Sequence, residues 1–343
     1  MAASILGIEY FLPERVETLQ DLKAEYPDWE MTSLASKTGI VSRHIAGRGQ
    51  TASDLGYEAA RRLLEKSPAA VEQVDFLLFC TQSPDHFLPT AACVLQDRLG
   101  LSKRTAALDF NLGCSGYVYG LCLAKSLVES GAARQVLLVT ADTYTKFIHP
   151  ADRTVRALFG DAAAATLIGA EPDGPGRIGE FVLGTDGKGA PSLIVPSGGM
   201  RLPRSAATAV ETKDRGGCVR SKDNLYMDGP AIFTFAISVV PDVLAAVLQK
   251  SGWTSRQVDW FAYHQANKFM LESLAQESDL PVEKMVMAFE DIGNTVSASI
   301  PIAVKRHAQT GRLLPGQKVA MVGFGVGYSW GACTLTWGKG PWT

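Results

Sequence analysis

The feature that most constrains the fold of this chain is an internal repeat. The segments EQVDFLLFCTQ (72–82) and RQVDWFAYHQA (256–266) both read as short apolar strands that start at a Val-Asp pair, and the two pairs lie 184 residues apart. Downstream, ARQVLLVTAD (133–142) and GQKVAMVGFG (316–325) match at an offset of 183 residues. Two pairs of strands at nearly one offset indicate a duplicated unit.

An amphipathic helix precedes the first strand of each half. These helices read YEAARRLLEKS (57–67) and PDVLAAVLQKSG (241–252), with apolar residues at helical spacing. Within each half the order strand, helix, strand favours parallel pairing of the strands. We therefore predict an α/β fold built from two duplicated halves, residues 1–175 and 176–343.

Charge and apolar patterning exclude several classes of protein. The formal net charge of -2 offers no basic field for nucleic acid. The N-terminus reaches Pro13 and charged residues too early for a signal peptide, and no apolar run approaches the ~18 residues that span a bilayer. We expect a cytoplasmic protein that binds neither nucleic acid nor membrane.

The cysteines suit a reducing compartment. They are too scattered for a disulfide scaffold and form no C-x-x-C pair, and no histidine pair has metal-ligand spacing, so we expect no metal site. Most of the six are expected to be buried thiols: Cys80, Cys93, Cys114, Cys122, Cys218 and Cys333.

Cys114 is the exception, because it lies where an apolar stretch, DFNLGCSGY, turns into a helical pattern. Its counterpart in the second half is DIGNTVSASIP (291–301), which also leads small residues into a helix. His264 ends a matched strand. Ligands of parallel α/β sheets bind beyond the carboxyl ends of the strands, so we expect Cys114, His264 and Asn294 to lie on one side of the molecule.

These three residue types suit acyl transfer. A helix start favours the thiolate of Cys114, and a nearby histidine such as His264 can activate a thiol. Asn294 offers an uncharged donor for an enolate or oxyanion. Each also has a structural interpretation: a buried thiol, a core histidine and a turn-forming asparagine. Their joint occurrence at symmetric positions favours a function.

Three other segments are interpreted structurally. GFGVG (323–327) resembles a phosphate loop, but a strand pattern follows it, which argues against a dinucleotide site. We interpret its glycines as allowing close backbone approach to the active centre. FGDAAAATLIG (159–169) reads as a strand of small side chains. Residues 197–217 read as a long surface loop near the substrate entrance.

The chain resembles the β-ketoacyl-ACP synthase III group of the thiolase-like superfamily over nearly its whole length. The matching segments are KTGIVSRHIA (37–46), SPDHFLPTAAC (83–93), DFNLGCSGY (109–117), ADRTVRALFGDAAAA (151–165), MDGPAIFTFA (227–236), HQAN (264–267), GNTVSASIP (293–301) and GFGVGYSWG (323–331). The resemblance implies a five-layered αβαβα thiolase-like fold, a homodimer and a decarboxylating Claisen condensation. It also implies no permanently bound cofactor, with CoA and acyl-carrier-protein (ACP) thioesters as substrates.

The resemblance assigns roles to individual residues. Cys114 takes an acyl group from CoA, His264 and Asn294 hold the thioester oxygen of a malonyl-thioester during decarboxylation, and the backbone N–H groups of Cys114 and Val326 form the oxyanion hole. The remaining assignments are CoA binding by Lys37 and Arg153, carrier-protein contacts by Gln265, Ala266, Asn267 and Lys268, and entry of Phe87 and Leu88 into the partner subunit's acyl tunnel.

The chain also departs from the family pattern. Ser33 stands where the family has a tryptophan that stacks on the CoA adenine, and Lys37 replaces an arginine. Phe269 replaces the arginine of the family's H-Q-A-N-x-R, and GVG replaces a triple glycine, which narrows the site. These changes suit a specialised acyl chain or carrier.

Three alternatives differ in their chemistry. The acyl-cysteine of a related acyltransferase passes its acyl group to an oxygen, nitrogen or small-molecule acceptor, but such transfer needs no enolate stabilisation by Asn294. A non-catalytic partner subunit would lack part of the triad. A thiolase would need a second catalytic cysteine near the C-terminus, and Cys333 lies in a predicted strand instead.

Overall fold

The computed structural model describes residues 2–68, 70–170 and 176–338. The strands within them are β1 Ala3–Phe11, β2 Arg15–Thr18, β3 Ser42–Ile45, β4 Val74–Cys80, β5 Ala106–Phe110, β6 Gln135–Asp142, β7 Ala162–Ala170, β8 Ile178–Thr185, β9 Leu193–Ile194, β10 Thr212–Lys213, β11 Val219–Arg220, β12 Tyr226–Met227, β13 Trp260–Tyr263, β14 Lys318–Gly325 and β15 Ser329–Thr336. The α-helices are α1 Leu19–Glu25, α2 Met31–Thr38, α3 Ala52–Lys66, α4 Ala70–Gln73, α5 Ala91–Arg98, α6 Gly116–Glu129, α7 Gly229–Lys250, α8 Lys268–Glu277 and α9 Ser299–Gln309.

Two mixed sheets repeat one topology. The first sheet has the strand order β1-β7-β6-β4-β5, and the second has the order β8-β15-β14-β13. In the first sheet β4 pairs parallel with β6, and in the second β13 pairs parallel with β14. The four strands of the sequence repeat therefore form and pair in parallel as predicted. The strand of small side chains is also confirmed, as β7.

Helices and sheets alternate in five layers. Apolar residues of α3 and α5 pack on the outer face of the first sheet, and those of α7 and α8 pack on the outer face of the second. Between the sheets lie α6 and α9, whose side chains contact both. This arrangement is the predicted αβαβα fold, and each central helix opens beside the carboxyl ends of the parallel strands.

The starts of the helices differ in a way that bears on the site. Thr51 caps α3 with a capping box, and Asp228 caps α7 through its side chain. Helix α6 has no side-chain cap, because the Ser115 hydroxyl instead bonds the hydroxyl of Ser329 in β15 at 2.7 Å. The start of α6 is therefore held by the second half of the chain.

Helix α7 is longer than the sequence repeat predicts, since it begins at Gly229 rather than near residue 241. Its 22 residues are long and apolar enough to cross a membrane by length and composition, so the prediction that no apolar run approaches this length is wrong. Its buried stripe packs on the second sheet, while Thr234, Ser238 and Asp242 are exposed, as in the core helix of a globular domain.

The boundary between the predicted halves stays a prediction, because residue 175 lies outside the described residues. The last strand of the first sheet ends at Ala170, and the second sheet begins with β8 at Ile178.

Candidate active site

Cys114 lies between β5 and α6 with only 5% of its surface exposed. The second half of the chain covers it through the end of β14. A Cβ placed on Gly325 would lie 2.9 Å from the Cβ and 3.0 Å from the Sγ of Cys114, and one placed on Gly323 would lie 2.8 Å from its carbonyl oxygen. The glycines of this segment therefore permit close approach to the cysteine, as the sequence predicts.

The surroundings of Cys114 favour the thiol over the thiolate. Burial raises the pKa of Cys114 to about 12 and the charge of Asp142 adds to the rise, while the peptide N–H groups of Cys114 and Val326 act to lower it. The expectation that the helix start favours the thiolate is wrong for the protein without substrate, because desolvation outweighs the positive end of α6. The two N–H groups that act on the sulfur come from opposite halves of the chain.

His264 follows β13 and is buried. Its backbone N–H donates to the carbonyl oxygen of Val322 in β14 at 2.8 Å, and its ring packs edge-on against Phe324. Burial lowers the pKa of His264 to about 3, so the imidazole is neutral at pH 7. Its Nδ1 lies 2.7 Å from the Oγ of Ser299, the first residue of α9. Because a hydroxyl can donate or accept, this contact suits either tautomer of the ring and leaves Nε2 available to a substrate.

Asn294 lies in the turn before a short 3₁₀ helix (Val296–Ala298) that leads into α9. Its backbone N–H donates to the carbonyl oxygen of Leu158 at 2.8 Å. Its Oδ1 accepts the backbone N–H of Val296 at 2.9 Å, so the side chain does serve the turn. The same bond orients the amide and leaves Nδ2 as a hydrogen-bond donor. Within the described part of the chain no residue bonds Nδ2, so Asn294 combines a structural task with an available donor.

The structure brings Cys114, His264 and Asn294 to one site at the junction of the two halves. Val296, two residues after Asn294, packs in the same apolar cluster as Cys114. Phe324, against which His264 packs, precedes the Gly325 that covers the cysteine. Val296 has a φ of 52°, a conformation that is rare for a β-branched residue and is typical of strained functional sites.

Asp142 is a buried carboxyl group that sequence reasoning missed. It ends β6, and one carboxylate oxygen accepts the backbone N–H of Gln82 at 2.8 Å while the other accepts the N–H and hydroxyl of Ser297. Burial raises the pKa of Asp142 to about 7. It therefore joins the first half of the chain to the turn that carries Asn294. Its signal in the sequence is a charged residue at the very end of an apolar strand.

A cavity of about 810 Å³ lies beside Cys114. Val326 and Tyr144 line it and also pack in the apolar cluster that contains the cysteine. Residues 197–200, in the predicted surface loop, form another wall, which supports the placement of that loop near a substrate entrance. Phe87 lines the cavity of its own chain and is 80% exposed, whereas Leu88 is exposed outside it. Entry of both into a partner's tunnel stays a prediction.

The residues assigned to CoA lie at the surface. Lys37 is exposed in the last turn of α2. Ser33, near the start of the same helix, is exposed as well. Arg153 is exposed, and its Nη2 donates to the carbonyl oxygen of Gly216 at 2.5 Å. Their role in CoA binding stays a prediction.

The residues assigned to the carrier protein divide into two kinds. Lys268 is exposed, while Ala266 and Asn267 are half-buried, with Asn267 capping α8. Gln265 is fully buried, and its amide bonds backbone groups of residues 263, 286 and 288, so its side chain cannot contact a carrier protein. That assignment is wrong. Phe269 is exposed and stacks on Phe233 of α7.

Comparison with known proteins places the chain beside condensing enzymes of one family. The family model described as 3-oxoacyl-[acyl-carrier-protein (ACP)] synthase III matches residues 108–187, and its C-terminal counterpart matches residues 248–337. The β-ketoacyl-[acyl-carrier-protein] synthase III of Caldanaerobacter subterraneus subsp. tengcongensis is 35% identical over 339 residues, 99% of each chain. Synthase III 1 of Bacillus anthracis is 36% identical over 339 residues, 99% of this chain and 100% of that one. A crystal structure of a 3-oxoacyl-(acyl-carrier-protein) synthase III superimposes with a TM-score of 0.96 at 48% identity, covering 98% of this chain and all of the other.

Proposed function

The chain belongs to the 3-oxoacyl-[acyl-carrier-protein] synthase III family of condensing enzymes, and from that premise we propose how its residues carry the reaction. In the first step the sulfur of Cys114 attacks the carbonyl carbon of an acyl-CoA. The C–S bond to CoA breaks, and the thiol proton passes through Nε2 of His264 to the departing CoA sulfur. Because burial raises the pKa of Cys114, proton removal accompanies attack rather than preceding it.

In the second step a malonyl-thioester binds beside the acyl-cysteine. Its carboxylate leaves as CO₂, and the bonding electrons form an enolate whose oxygen lies between Asn294 and His264. The enolate carbon attacks the acyl carbonyl, a carbon–carbon bond forms, and the Cys114 sulfur leaves and takes up one proton from solvent. The peptide N–H groups of Cys114 and Val326 are proposed to bind the oxyanion of this attack, since both already act on the sulfur.

One observation carries the proposal for the second step. Asn294 and His264 are both uncharged and buried, and each has one polar atom held by the protein: Oδ1 by the N–H of Val296, and Nδ1 by the hydroxyl of Ser299. Each therefore has one remaining nitrogen for a substrate oxygen: Nδ2 of Asn294, and Nε2 of His264 once the neutral ring has exchanged with solvent to the tautomer that carries its proton there and accepts from Ser299 at Nδ1. Two neutral donors stabilise a developing enolate without forming a permanent ion pair with it.

Asn294 variants test this assignment. Asn294→Ala should leave acyl-enzyme formation largely intact and reduce condensation by about 10²-fold, the usual scale for a lost oxyanion donor. Asn294→Asp is the matched control for the turn, because its carboxylate can still accept the N–H of Val296 but cannot donate. It should lose condensation at least as strongly. Burst-phase acylation and steady-state product formation separate the two steps.

Recovery of condensation in Asn294→Asp would contradict the donor role, and Asn294 would then have only its structural role in the turn. Equal losses of acylation and condensation in Asn294→Ala would contradict the assignment to the second step. Transfer of the acyl group to an oxygen or nitrogen acceptor, without release of CO₂, would support the acyltransferase alternative instead.

The assembly is proposed on the same premise. We infer a cytoplasmic homodimer that uses CoA and carrier-protein thioesters and needs no resident cofactor. Strand β5 supports the dimer, because it forms one edge of the first sheet and exposes 47% of Leu108. Phe87 and Leu88 add exposed apolar surface to the same half. Lys268 and Lys37 lie near each other, since the Cβ of Lys268 packs against Gly39, and they offer positive charge to a carrier.

A further inference from the structure

Three polar side chains from the first half of the chain line one part of the cavity beside Cys114, whose remaining side chains are apolar except for Ser197 and Arg204. Tyr144 is buried, and its hydroxyl donates to Oε1 of Gln82. The Nε2 of Gln82 in turn donates to Oδ1 of Asn111 at 3.0 Å. All three residues line the cavity. They form a hydrogen-bonded row, and none of them takes part in the two steps proposed above.

This row lies close to the nucleophile. Tyr144 packs in the same apolar cluster as Cys114. A Cβ placed on Gly113, the residue before the cysteine, would lie 2.5 Å from Oε1 of Gln82, so the amide sits directly against that residue. Asn111 lies three positions before Cys114 on the same turn. An acyl group on the sulfur would therefore meet the row within its first few carbon atoms.

The row has more donors than it uses. Each amide nitrogen carries two hydrogens, and of these four only one, from Nε2 of Gln82, is bonded to a neighbour within the described residues. The direction of the bonds is set by the tyrosine, because its hydroxyl occupies Oε1 and turns Nε2 towards Asn111. An aliphatic acyl chain would displace water from these donors and leave them without a hydrogen-bond acceptor. An oxygen on the chain would accept a hydrogen bond from them instead.

The size of the cavity indicates the rest of the group. A volume of about 810 Å³ is far more than an acetyl group fills, and its other walls are largely aromatic and aliphatic, with Phe147, Leu193 and Leu225 among them. We propose that Gln82 and Asn111 are specificity-determining residues for an acyl chain of medium length that carries an oxygen near its thioester, as a 3-hydroxyacyl or 3-oxoacyl group does. This inference rests on the proposed loading of Cys114.

Matched substrates test it. Octanoyl-CoA, 3-hydroxyoctanoyl-CoA and 3-oxooctanoyl-CoA share one chain length, and intact-mass spectrometry follows their transfer to Cys114 over time. Because Gln82 is half-buried and Asn111 is exposed, the wild-type protein should load at least one of the oxygenated chains roughly two- to tenfold faster than octanoyl at equal concentration, the net scale of one hydrogen bond. Gln82→Met keeps the length of the side chain but removes the amide. It should bring the ratio of oxygenated-chain loading to octanoyl loading close to one, with octanoyl loading retained or faster.

Gln249→Met is the control, because Gln249 is exposed at the far end of α7, and it should keep the wild-type ratio. Tyr144→Phe provides a second variant if Gln82→Met does not fold; it frees Oε1 of Gln82 and should reduce the ratio. Equal loading of all three substrates by the wild-type protein would overturn the inference. An unchanged loading ratio in Gln82→Met would also overturn it, as would an unchanged ratio in Tyr144→Phe if Gln82→Met does not fold. Absence of any adduct on Cys114 would contradict the proposed function itself.

Discussion

At the scale of single residues, burial keeps the two side chains proposed to exchange a proton, Cys114 and His264, uncharged. The raised pKa of Cys114 and the lowered pKa of His264 make a standing thiolate–imidazolium pair unfavourable. The proton must therefore move as bonds to sulfur form and break. The Ser299 hydroxyl suits this, because it can accept from Nδ1 when His264 takes a proton at Nε2 and donate to Nδ1 when His264 donates from Nε2.

The charge state of His264 can be measured directly. Its pKa of about 3, lowered by burial, predicts that its imidazole signals in NMR do not change between pH 5 and 8. Because the pKa of His264 is lower in the folded protein than in the unfolded chain, its contribution to stability is fully present above pH 6.5. That contribution is lost as the pH falls from about 6.5 towards 3, since only the unfolded chain takes up the proton in this range. A titration of His264 with a midpoint near pH 6.5 would contradict the account.

Asp142 should influence the reactivity of Cys114. Its negative charge contributes to the raised pKa of the thiol, so Asp142→Asn should move the pH midpoint of Cys114 alkylation to lower pH. Asp161→Asn is the matched control, because Asp161 is also fully buried and hydrogen-bonded but is not among the charges that act on the thiol. An unshifted midpoint in Asp142→Asn, or an equal shift in Asp161→Asn, would show that this charge does not act on the sulfur.

The sequence identifies some residues of the site and not others for a physical reason. Asn294 lies in the segment equivalent to the Cys114 turn, and His264 ends a strand of the repeat, so the topology of the repeat places all three on one side of the molecule. Asp142 acts through a contact with Ser297 that forms only when the two halves meet, and Ser299 acts through a contact with His264, 35 residues earlier in the chain, that no local pattern indicates. The pKa of Cys114 was mispredicted because the helix start is visible in the sequence, while the depth of burial is not.

At the scale of elements, the end of β14 is the part of the fold that closes the site. Its glycines allow the strand to pass over Cys114, and the strand also fixes His264 through the carbonyl oxygen of Val322. The strands and their parallel pairing were predictable from the repeat. The early start of α7 was not, because the apolar stretch that opens it has no helical periodicity and the start is set by the cap at Asp228.

A single methyl group on β14 tests this packing. Gly325→Ala would place a Cβ 3.0 Å from the Sγ of Cys114, and overpacking of this kind costs about 1–3 kcal/mol. Acylation of Cys114 should fall by roughly tenfold or more, with circular dichroism unchanged. Gly229→Ala is the control, since a Cβ there meets no atom within 4 Å, and it should acylate normally. Wild-type acylation by Gly325→Ala would contradict the close approach of β14.

At the scale of the whole molecule, the two halves share one middle layer, and the candidate active site lies where they meet. The proposed dimer extends this arrangement along the free edge of β5. Light scattering should give twice the 36.8 kDa of one chain. Leu108→Lys should shift the protein towards the monomer, whereas Leu314→Lys, at an exposed leucine after α9, should not. A wild-type monomer at micromolar concentration would rule out the dimer.

In the proposed reaction, Cys114 carries an acyl group and transfers it to a decarboxylated malonyl unit. The most direct measurement loads the wild-type protein and Cys114→Ala with an acyl-CoA, maps the adduct by mass spectrometry, and then adds a malonyl-thioester. We expect an adduct on Cys114 alone, absent from Cys114→Ala, that disappears with one CO₂ and one β-ketoacyl product per site. An adduct on another residue, or one on Cys114 that persists after the malonyl-thioester is added, would contradict it.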